Sequence, residues 1–489
     1  MPEAASKDGA RPRLRRELSL THQFALSIAT VGPFIVIFGF YGPIASGVGT
    51  GVLYLIALVG VLHVANANIF AHMSSLFPRA GGGYSIVRST AGNCWGFIYL
   101  VIQVVYWAAV SATVVSLAAA FLHSQFSGLP ERPTELVLIA SIFALALTHI
   151  VEAGRVSLAF LILEGVFALI WLVIALLNAH SIGDMVRLPP QALGVNGHLG
   201  ENISLSAFIA TIPIAIFALS GYEWGSSYTE ESKDFHSVRR ALVMAALASV
   251  TVCAILMPLL FVADPHYQRV LTALVPGAQV LKDVAPALAP VLIVYVAFSS
   301  WNAAMSNFLQ ASRLVFDAGR EGEFGATIGK PLSYVNSGGA PVVACAIWLI
   351  PTVAFVLSTK LQELFVFSAV MLLFAYISMS LTASYFYLRV GRRAGLRMGA
   401  FRWFPMVPAI VIAFSVLGLV KQSWSDVRTA LWILLGAAVV GFVRHRSLAL
   451  NSGDKIAANS RAAGSDTLEL VPAGHRPAGS DALTEPSPV

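Results

Sequence analysis

Two stretches of the sequence place a glycine at the centre of an otherwise apolar run. Residues 27–34 contain Gly32 followed by Pro33, and residues 219–223 contain Gly221 among polar neighbours. Both patterns predict a helix that is interrupted at membrane depth. An interrupted helix leaves backbone amides and carbonyls without their usual partners, and these groups can bind a small zwitterion or an ion. The two stretches are therefore the first candidates for a binding site.

The first stretch is suited to an anionic group. Pro33 lacks an N–H and its ring clashes with the carbonyl four residues back, so the carbonyl of Ala29 is freed. The following half-helix would present its N-terminal amides, at the positive end of its dipole, to a group such as a carboxylate. A simple proline kink in a packed helix is the alternative. The candidate binding residues here are Ala29, Thr30, Val31, Gly32, Pro33 and Phe34.

The second stretch offers complementary groups. The carbonyls from Ile216 to Leu219 can accept hydrogen bonds from an ammonium group once the helix is broken. Tyr222 and Trp224 are candidates for gating or for packing against a substrate, although aromatic residues in membrane helices more often pack or anchor the helix. The candidate binding residues here are Ile216, Phe217, Ala218, Leu219, Ser220, Gly221 and Tyr222.

Two carboxylates lie in apolar surroundings, where an ionisable group is costly and is expected to face the bundle interior. Glu164 is flanked only by apolar neighbours, and it is a candidate proton carrier, with a structural or substrate-contacting role as the alternative. Glu223 follows the second interruption and is a further coupling or gating candidate. Ser299 and Ser300 can coordinate a cation or hydrogen-bond to Glu164, although helix packing by small polar residues explains them equally well.

The composition is that of an integral membrane protein. The chain is 57% hydrophobic and 11% charged, with a mean hydropathy of +0.76, whereas soluble domains carry roughly 25% charged residues. Its apolar runs are long enough to cross a hydrocarbon core as helices, and the ten-residue alternation of a β-barrel is missing. An all-α membrane fold follows, with the lipid bilayer as its surroundings.

Other classes of function find little support. The pI of about 9.3 comes from basic residues scattered in short loops, which fits membrane topology better than a nucleic-acid surface. Cys94, Cys253 and Cys345 lack metal-ligand spacing and are expected to pack. We expect no enzyme activity, cofactor or metal site, because no nucleophile, metal cluster or phosphate-binding loop stands out in the apolar region.

The apolar runs predict about twelve spans. We place a tail at 1–20, a membrane domain at 21–445 and a disordered tail at 446–489, which is rich in Ala, Gly, Ser, Pro and Asp. Most of the 31 Lys and Arg residues fall on the side of the N-terminus, so both termini are predicted to be cytoplasmic. The spans are predicted at 22–43, 51–73, 93–122, 135–151, 156–179, 206–230, 240–262, 286–317, 340–358, 362–389, 404–421 and 427–444.

Two halves of this map correspond. Spans one to five (21–180) and spans six to ten (206–390) each open with an interrupted helix, and two further helices follow at 404–445. Because five is odd, the second half enters the membrane from the opposite side, so the repeats are expected to be inverted. Corresponding interrupted helices in two inverted halves indicate a midplane binding site.

Several motifs, taken in order, resemble the amino acid-polyamine-organocation superfamily of permeases. Residues 78–84 and Gly92 are similar to its segment after span two, and residues 217–223 with 230–233 to its span-six signature. Residues 312–313, 317–322 and 340–341 look like its segment from span eight into span nine. The resemblance covers roughly residues 18–445.

The resemblance implies a leucine-transporter-like fold with spans one and six interrupted. It also implies secondary active transport of amino acids by alternating access, as a proton symporter or exchanger in the bacterial inner membrane, with Na+ as another candidate ion. A polyamine or organocation exchanger, and a channel or sensor on the same fold, remain alternatives. Some proton-coupled members use a Lys in span five. Here Ala168 falls near that position, so a lysine mechanism is not carried over.

Overall fold

A computed structural model of the chain describes residues 14–148, 150–195, 197–336, 339–391 and 406–463. These residues form helices joined by short connections and one small hairpin. Such a fold follows from the long apolar runs, because a helix satisfies its own backbone hydrogen bonds where no water is present. The helices of the first half are α1 Leu20–Val31, α2 Pro33–Gly39, α3 Tyr41–Val48, α4 Val52–Leu76, α5 Gly83–Ala91, α6 Asn93–Gln125, α7 Glu131–Ala146 and α8 Ile150–Leu177.

The second half begins after the hairpin of β1 (Gln191–Leu193) and β2 (Leu199–Asn202), whose strands are antiparallel. Short 3₁₀ segments span Gly49–Gly51, Ile182–Val186 and Tyr222–Tyr228, and a π-helical turn spans Tyr387–Gly391. The helices are α9 Leu205–Ala218, α10 Phe235–Leu256, α11 Leu259–Ala263, α12 Tyr267–Thr272, α13 Pro276–Val284, α14 Ala289–Arg320, α15 Gly325–Leu332, α16 Val342–Ser358, α17 Leu361–Phe386, α18 Met406–Val420 and α19 Trp424–Ala463.

The predicted all-α membrane fold is confirmed. Within the described ranges, nine helical segments are long and apolar enough to cross a membrane, and Val342–Ser358 and Val407–Val420 are shorter apolar helices. The count of twelve spans and the inverted repeat stay predictions. Residues 1–13, and the start of the predicted eleventh span at 404–405, lie outside the described residues.

The tails at 1–20 and 446–489 stay predictions, and residues 464–489 lie outside the described residues. Leu14 and Leu18 are buried, and Leu18 pairs with Ser232, so residues 14–18 pack against the chain that follows the second interruption. At the other end, α19 continues to Ala463, past residue 446, where the sequence predicts disorder. The alanine, leucine, arginine and lysine residues of α19 have good helix propensity. The described residues divide into two units, the first ending at Gly441 and the second beginning at Phe442.

The core of the first unit is formed by helices that are buried along most of their length. α14 packs on α6 and on α1, and α17 also packs on α6. α8 differs because its leucines and valines, such as Leu169 and Val173, are exposed, as expected for a helix that faces lipid. α1, α6, α9 and α14 therefore supply the interior surfaces on which a binding site can be built.

Candidate functional site

The two predicted helix interruptions are present and touch each other. Gly32 separates α1 from α2 with φ 58°, and Pro33 starts α2, so a left-handed C-cap and a helix-starting proline act together. Gly221 separates α9 from the 3₁₀ segment with φ 123°. A Cβ atom on Gly221 would lie 2.9 Å from the Thr30 carbonyl oxygen. Only a glycine allows this approach, which brings the two breaks together.

At the first break, a side chain replaces the backbone as hydrogen-bond acceptor. The Phe34 amide, which would bond to the Thr30 carbonyl in an intact helix, donates to Glu164 Oε1 at 2.9 Å. The Gly32 amide still closes α1 by donating to the Ile28 carbonyl at 2.9 Å. The break therefore diverts the Thr30 carbonyl from its regular partner and orients it toward Gly221.

At the second break, α9 ends in a tight turn. The Ser220 amide donates to the Phe217 carbonyl at 3.2 Å, and the Ser220 hydroxyl donates to the same oxygen at 2.7 Å. The regular partner of the Ile216 carbonyl is thereby removed. The Gly221 amide donates to Glu223 Oε2 at 2.9 Å, so the turn is held by the residue that follows it.

A small cavity lies beside the two breaks, and we call it the break cavity. Its volume is about 20 Å³, which is enough for about one water molecule, so the site is closed around its centre. Tyr106 donates to or accepts from Ser220 Oγ at 3.1 Å, and Asn307 Nδ2 is buried without a hydrogen-bond partner. The cavity is lined by Thr30, Val31, Ile35, Phe40, Tyr106, Val110, Val114, Phe217, Ser220, Gly221 and Asn307.

Some of the predicted binding residues line the break cavity, and the others lie behind it. Thr30, Val31, Phe217, Ser220 and Gly221 line the break cavity. The remaining candidates shape the breaks or pack behind them, namely Ala29, Gly32, Pro33, Phe34, Ile216, Ala218, Leu219 and Tyr222, all of which lie in the interrupted elements or the turn between them.

Two of these supporting side chains point away from the cavity into neighbouring helices. The Phe34 ring packs on Tyr295 of α14, with ring centroids 5.3 Å apart. The Tyr222 hydroxyl donates to the His63 carbonyl at 2.8 Å and is contacted by Asn66 at 3.4 Å. Both side chains therefore connect the broken helices to their surroundings.

Glu164 joins three helices at the first break. Its Oε1 accepts from the Phe34 amide of α2 and from Ser299 Oγ of α14, the latter at 3.1 Å. Ser300 takes no part, because its hydroxyl donates to the Val296 carbonyl of its own helix at 2.8 Å. A change in the charge of Glu164 would therefore alter its hydrogen bonds to the broken helix and to α14.

Glu223 and Trp224 lie beyond the second break. Glu223 is fully buried and accepts from the Tyr376 hydroxyl of α17 at 2.5 Å. Trp224 packs on Tyr106 and Trp107 of α6, with ring centroids 5.4 and 5.0 Å away. Neither residue lines the break cavity, and together they fasten the 3₁₀ segment to α17 and α6.

Sequence reasoning missed the contribution of α6 and the outer part of α2 to the break cavity. Val110, Val114 and Ile35 look like any other apolar residues of a span, so no signal marked them. Tyr106 and Asn307 could have been found, because a polar side chain within an apolar run is itself a signal. The missed residues are Ile35, Phe40, Tyr106, Val110, Val114 and Asn307.

On one side, aromatic side chains separate the break cavity from a wider recess. Phe40 and Phe217 line the cavity, and each packs on Phe365, with ring centroids 4.9 and 6.5 Å away. Beyond Phe365 lies a recess of about 450 Å³ between α3, α13 and the start of α17. One layer of rings thus stands between the recess and the cavity.

On the other side of the break cavity lie residues 14–18, which we call the N-terminal segment. Here ion pairs connect three of the motifs that resemble the permease superfamily, those at 78–84, 230–233 and 317–322. We call this group the ion-pair network. Arg313 forms a two-point contact with Glu231, at 2.5 and 3.0 Å, and Arg320 forms another with Glu230, at 2.8 and 2.7 Å. The other members are Asp317 with Arg320 and Ser85, Glu321 with Arg79 and Arg88, and Glu323 with Arg88 and Tyr84.

The charge state of Glu230 follows from this setting. Burial alone would raise the pKa of its carboxyl, but hydrogen bonds and charge attraction from Arg320, with the amides of Leu14 and Ala80, hold that pKa below its usual value. Glu230 is therefore charged at neutral pH. It ties α14, the N-terminal segment and the loop before α5 into one closed layer.

Comparison with known proteins gives one family. The model of the family described as amino acid permease matches residues 18–443. An uncharacterized transporter of Mycobacterium tuberculosis is 25% identical over 63% of this chain and 67% of its own. The b(0,+)-type amino acid transporter 1 of Oryctolagus cuniculus is 24% identical over 58% of each chain.

Two further matches are a second amino acid transporter and a solved structure of a transporter. The large neutral amino acids transporter small subunit 2 of Rattus norvegicus is 22% identical over 66% of this chain and 61% of its own. Among solved structures, a mutant of the Eremococcus coleocola manganese transporter has a TM-score of 0.56 at 15% identity, covering 89% of this chain and 97% of that chain. This last likeness is one of fold alone.

The family match covers the residues that form the candidate site. It begins at the buried Leu18 and continues through both helix breaks, the carboxylates beside them and the ion-pair network. Because it runs through most of the chain in this way, the chain belongs to the amino acid permease family and is a multi-pass membrane transport protein.

Proposed function

We propose that this protein is a secondary active transporter that moves neutral amino acids across the cytoplasmic membrane by alternating access. The observation that carries the proposal is the contact between two helix breaks, Gly32 and Gly221, beside a buried cavity. Backbone groups at such breaks can bind the carboxylate and ammonium groups that all amino acids share. We assign substrate contact to the five predicted residues that line the break cavity, Thr30, Val31, Phe217, Ser220 and Gly221, together with its other lining side chains. The remaining predicted residues hold the breaks in shape.

The cavity lining favours an uncharged substrate side chain. Val31, Ile35, Val110, Val114 and Phe217 are apolar, and among the residues that the structure describes no carboxylate lines the break cavity. A polyamine exchanger would need carboxylates there to neutralise the second ammonium group. Glu164 and Glu223 are instead engaged by backbone amides and hydroxyl groups behind the breaks.

Both named relatives are amino acid transporters, and the name of one of them specifies the neutral class. One is named as a large neutral amino acid transporter and another as a b(0,+)-type amino acid transporter. For this chain we favour the neutral class, because the apolar lining leaves the backbone breaks as the principal polar contacts. Ser220 and Asn307 are then available to the shared amino acid core rather than to a charged side chain.

Alternating access requires a barrier on each side of the site that can open in turn. A single layer formed by Phe40, Phe217 and Phe365 stands on one side, and the ion-pair network stands on the other. We assign the conformation as occluded, with the ring layer as the thinner barrier. The predicted orientation puts the ion-pair network at the cytoplasmic face and the recess at the outside.

We assign proton coupling to Glu164. Its carboxylate accepts the Phe34 amide of the first break and a hydroxyl of α14. Protonation removes the charge that holds this amide, so proton binding would be transmitted to the half-helix that contacts substrate. Symport and exchange both use such a link.

Uptake into proteoliposomes tests the proposal. The purified protein should accumulate a labelled neutral amino acid such as leucine against its concentration gradient when the outside is made acidic. Putrescine should neither accumulate nor compete. Equilibration without accumulation would indicate a channel. Binding without uptake, both in empty vesicles and in vesicles preloaded with unlabelled leucine, would indicate a sensor, so either result would contradict the proposal.

A further inference from the structure

An exposed stripe runs the length of one face of α10. Met244, Leu247 and Ile255 are 46%, 47% and 51% exposed, and their spacing puts them on the same face of the helix. Arg240 and His236 occupy the same face about one and two turns before Met244 and are exposed as well. Apart from the exposed Thr251, the stripe is therefore apolar within the span, and it is basic at its N-terminal end.

A second stripe lies on α4, the neighbour of α10. Leu58 and Val61 are 38% and 59% exposed, and Asn68 continues the same face two turns further on. The two helices are in close contact, since a Cβ atom on Gly60 would lie 2.5 Å from a methyl group of Val250. Both stripes thus change from apolar to polar at the same end of the bundle.

A recess of about 420 Å³ lies where the two stripes become polar. It is lined by Asn68, His236, Arg239, Arg240, Val243 and Met244. Within the described part of the chain, neither Arg239 nor Arg240 forms an ion pair with a carboxylate. The acidic residue beside them, Asp234, is used as the helix cap and accepts the His236 amide at 3.0 Å. Two guanidinium groups are therefore available to a ligand.

We propose that this recess binds the phosphate of an anionic phospholipid whose acyl chains lie along the two stripes. Arginine donates paired hydrogen bonds that match phosphate oxygens. The Asn68 amide donates one N–H to the Val64 carbonyl at 2.7 Å, and its second N–H adds a neutral donor. Basic pockets between membrane helices suit such headgroups. The site is separate from the break cavity and does not rest on the transport proposal.

The exposed apolar stripes favour a phospholipid over a soluble anion or a second copy of the chain. A soluble anion would use the arginines but not the exposed apolar rows that lead away from them. A second copy of the chain whose two-fold axis passed through the recess would bring the same arginines against each other, which is unfavourable. A phospholipid matches the charged recess and both apolar rows at once.

Native mass spectrometry of the full-length protein in neutral detergent tests the proposal. We expect the first bound phosphatidylglycerol to dissociate at least tenfold more readily from the Arg239→Gln/Arg240→Gln variant, while phosphatidylcholine binding is unchanged. Met244→Trp keeps every charge but fills the recess, and it should also weaken phosphatidylglycerol binding. Inorganic phosphate alone should not displace the lipid.

The matched control is Arg155→Gln/Lys330→Gln, which removes two exposed positive charges outside the recess and should leave lipid binding intact. Equal weakening by this control would reveal nonspecific charge attraction and overturn the site. Displacement by inorganic phosphate would assign the recess to a soluble anion, and a changed oligomeric state of the Arg239→Gln/Arg240→Gln variant would assign it to a protein contact. Unchanged binding by Met244→Trp would equally overturn the proposal.

Discussion

A single carboxylate at Glu164 connects the first helix break to two other helices. It accepts from Phe34 of α2 and from Ser299 of α14 while itself belonging to α8. Protonation of Glu164 would weaken its hydrogen bond to the Phe34 amide, because a neutral acid holds a backbone amide less strongly than a carboxylate does. The proposed proton coupling therefore depends on this one side chain.

Glu164→Gln should abolish uptake driven by a proton gradient while retaining substrate binding. The amide oxygen of Gln can still accept from the Phe34 amide, but the side chain no longer takes up a proton. The measurements are pH-driven uptake in proteoliposomes and substrate-induced thermal stabilisation of the purified protein. Ser299→Ala is the control, since it removes one hydrogen bond and keeps the carboxylate. Full dependence on the proton gradient in Glu164→Gln would remove this residue from the mechanism.

Glu230 makes a prediction about acid stability. Its pKa is lower in the folded protein than in the unfolded chain, so its contribution to stability is complete above the ordinary glutamate pKa of about 4.3. That contribution is lost as the pH falls from there through the folded-state value. Thermal unfolding of Glu230→Gln should show a lower Tm at pH 7 and a smaller further loss on acidification than the parent protein. Glu363→Gln, an exposed replacement at the start of α17, should behave as the parent does.

At the scale of elements, the breaks depend on glycines that no other residue can replace without strain. Gly221→Ala should destabilise the protein by about 1–3 kcal/mol from its backbone conformation alone, with more from the 2.9 Å approach to the Thr30 oxygen. Uptake should fall with it, because the two breaks can no longer meet. Thermal unfolding and leucine uptake measure the two effects.

Variants of two further glycines separate the effect of backbone strain from the effect of losing the contact between the breaks. Gly92 has φ 92° but nothing within 4 Å of a Cβ atom, so Gly92→Ala tests backbone strain alone. Gly165 lies inside α8 with open space around it, so Gly165→Ala should be tolerated. If Gly221→Ala transports as well as Gly165→Ala, the contact between the breaks is not required for function.

The helical elements could be predicted from the sequence because the spans and the breaks have local causes. Apolar length gives a helix, and Gly32 with Pro33 ends one helix and starts another. The part played by α6 could not be predicted in the same way. Val110 and Val114 become lining residues only because α6 packs across the broken helices, and that packing is a property of the tertiary fold. Ser300 shows the same limit in reverse, since its neighbour Ser299 reaches Glu164 while Ser300 bonds within its own helix.

At the scale of the whole molecule, two layers of different construction flank the break cavity, and they are the proposed barriers. The ring layer at Phe365 is apolar and thin, whereas the ion-pair network links α5, α14 and the N-terminal segment. A charged barrier differs from an apolar one because its ions regain hydration when it opens. The opening of that face should therefore respond to the loss of one partner from a buried pair.

Glu231→Gln tests this response. It would leave the Arg313 guanidinium buried without its carboxylate, and breaking a buried ion pair costs roughly 3–5 kcal/mol. Both side chains are at most 2% exposed in the closed form. Because the cost falls on the closed form, the population should move toward the form that is open on this side. A Ser227→Cys reporter, in a chain whose natural cysteines are replaced, should react several-fold faster with a membrane-impermeant thiol reagent applied from the predicted cytoplasmic side.

Two comparisons decide whether the buried charge is the cause. Glu231→Gln/Arg313→Gln removes both ions, so no uncompensated charge remains in the closed form and labelling should return toward the parent rate. Arg155→Gln breaks an ion pair whose side chains are 64% and 53% exposed, which contributes about 0–1 kcal/mol, so its labelling should not change. Parent-like labelling of Glu231→Gln would mean that the network does not set the conformational balance, whereas fast labelling that persists in the double variant would mean that shape rather than charge closes this side.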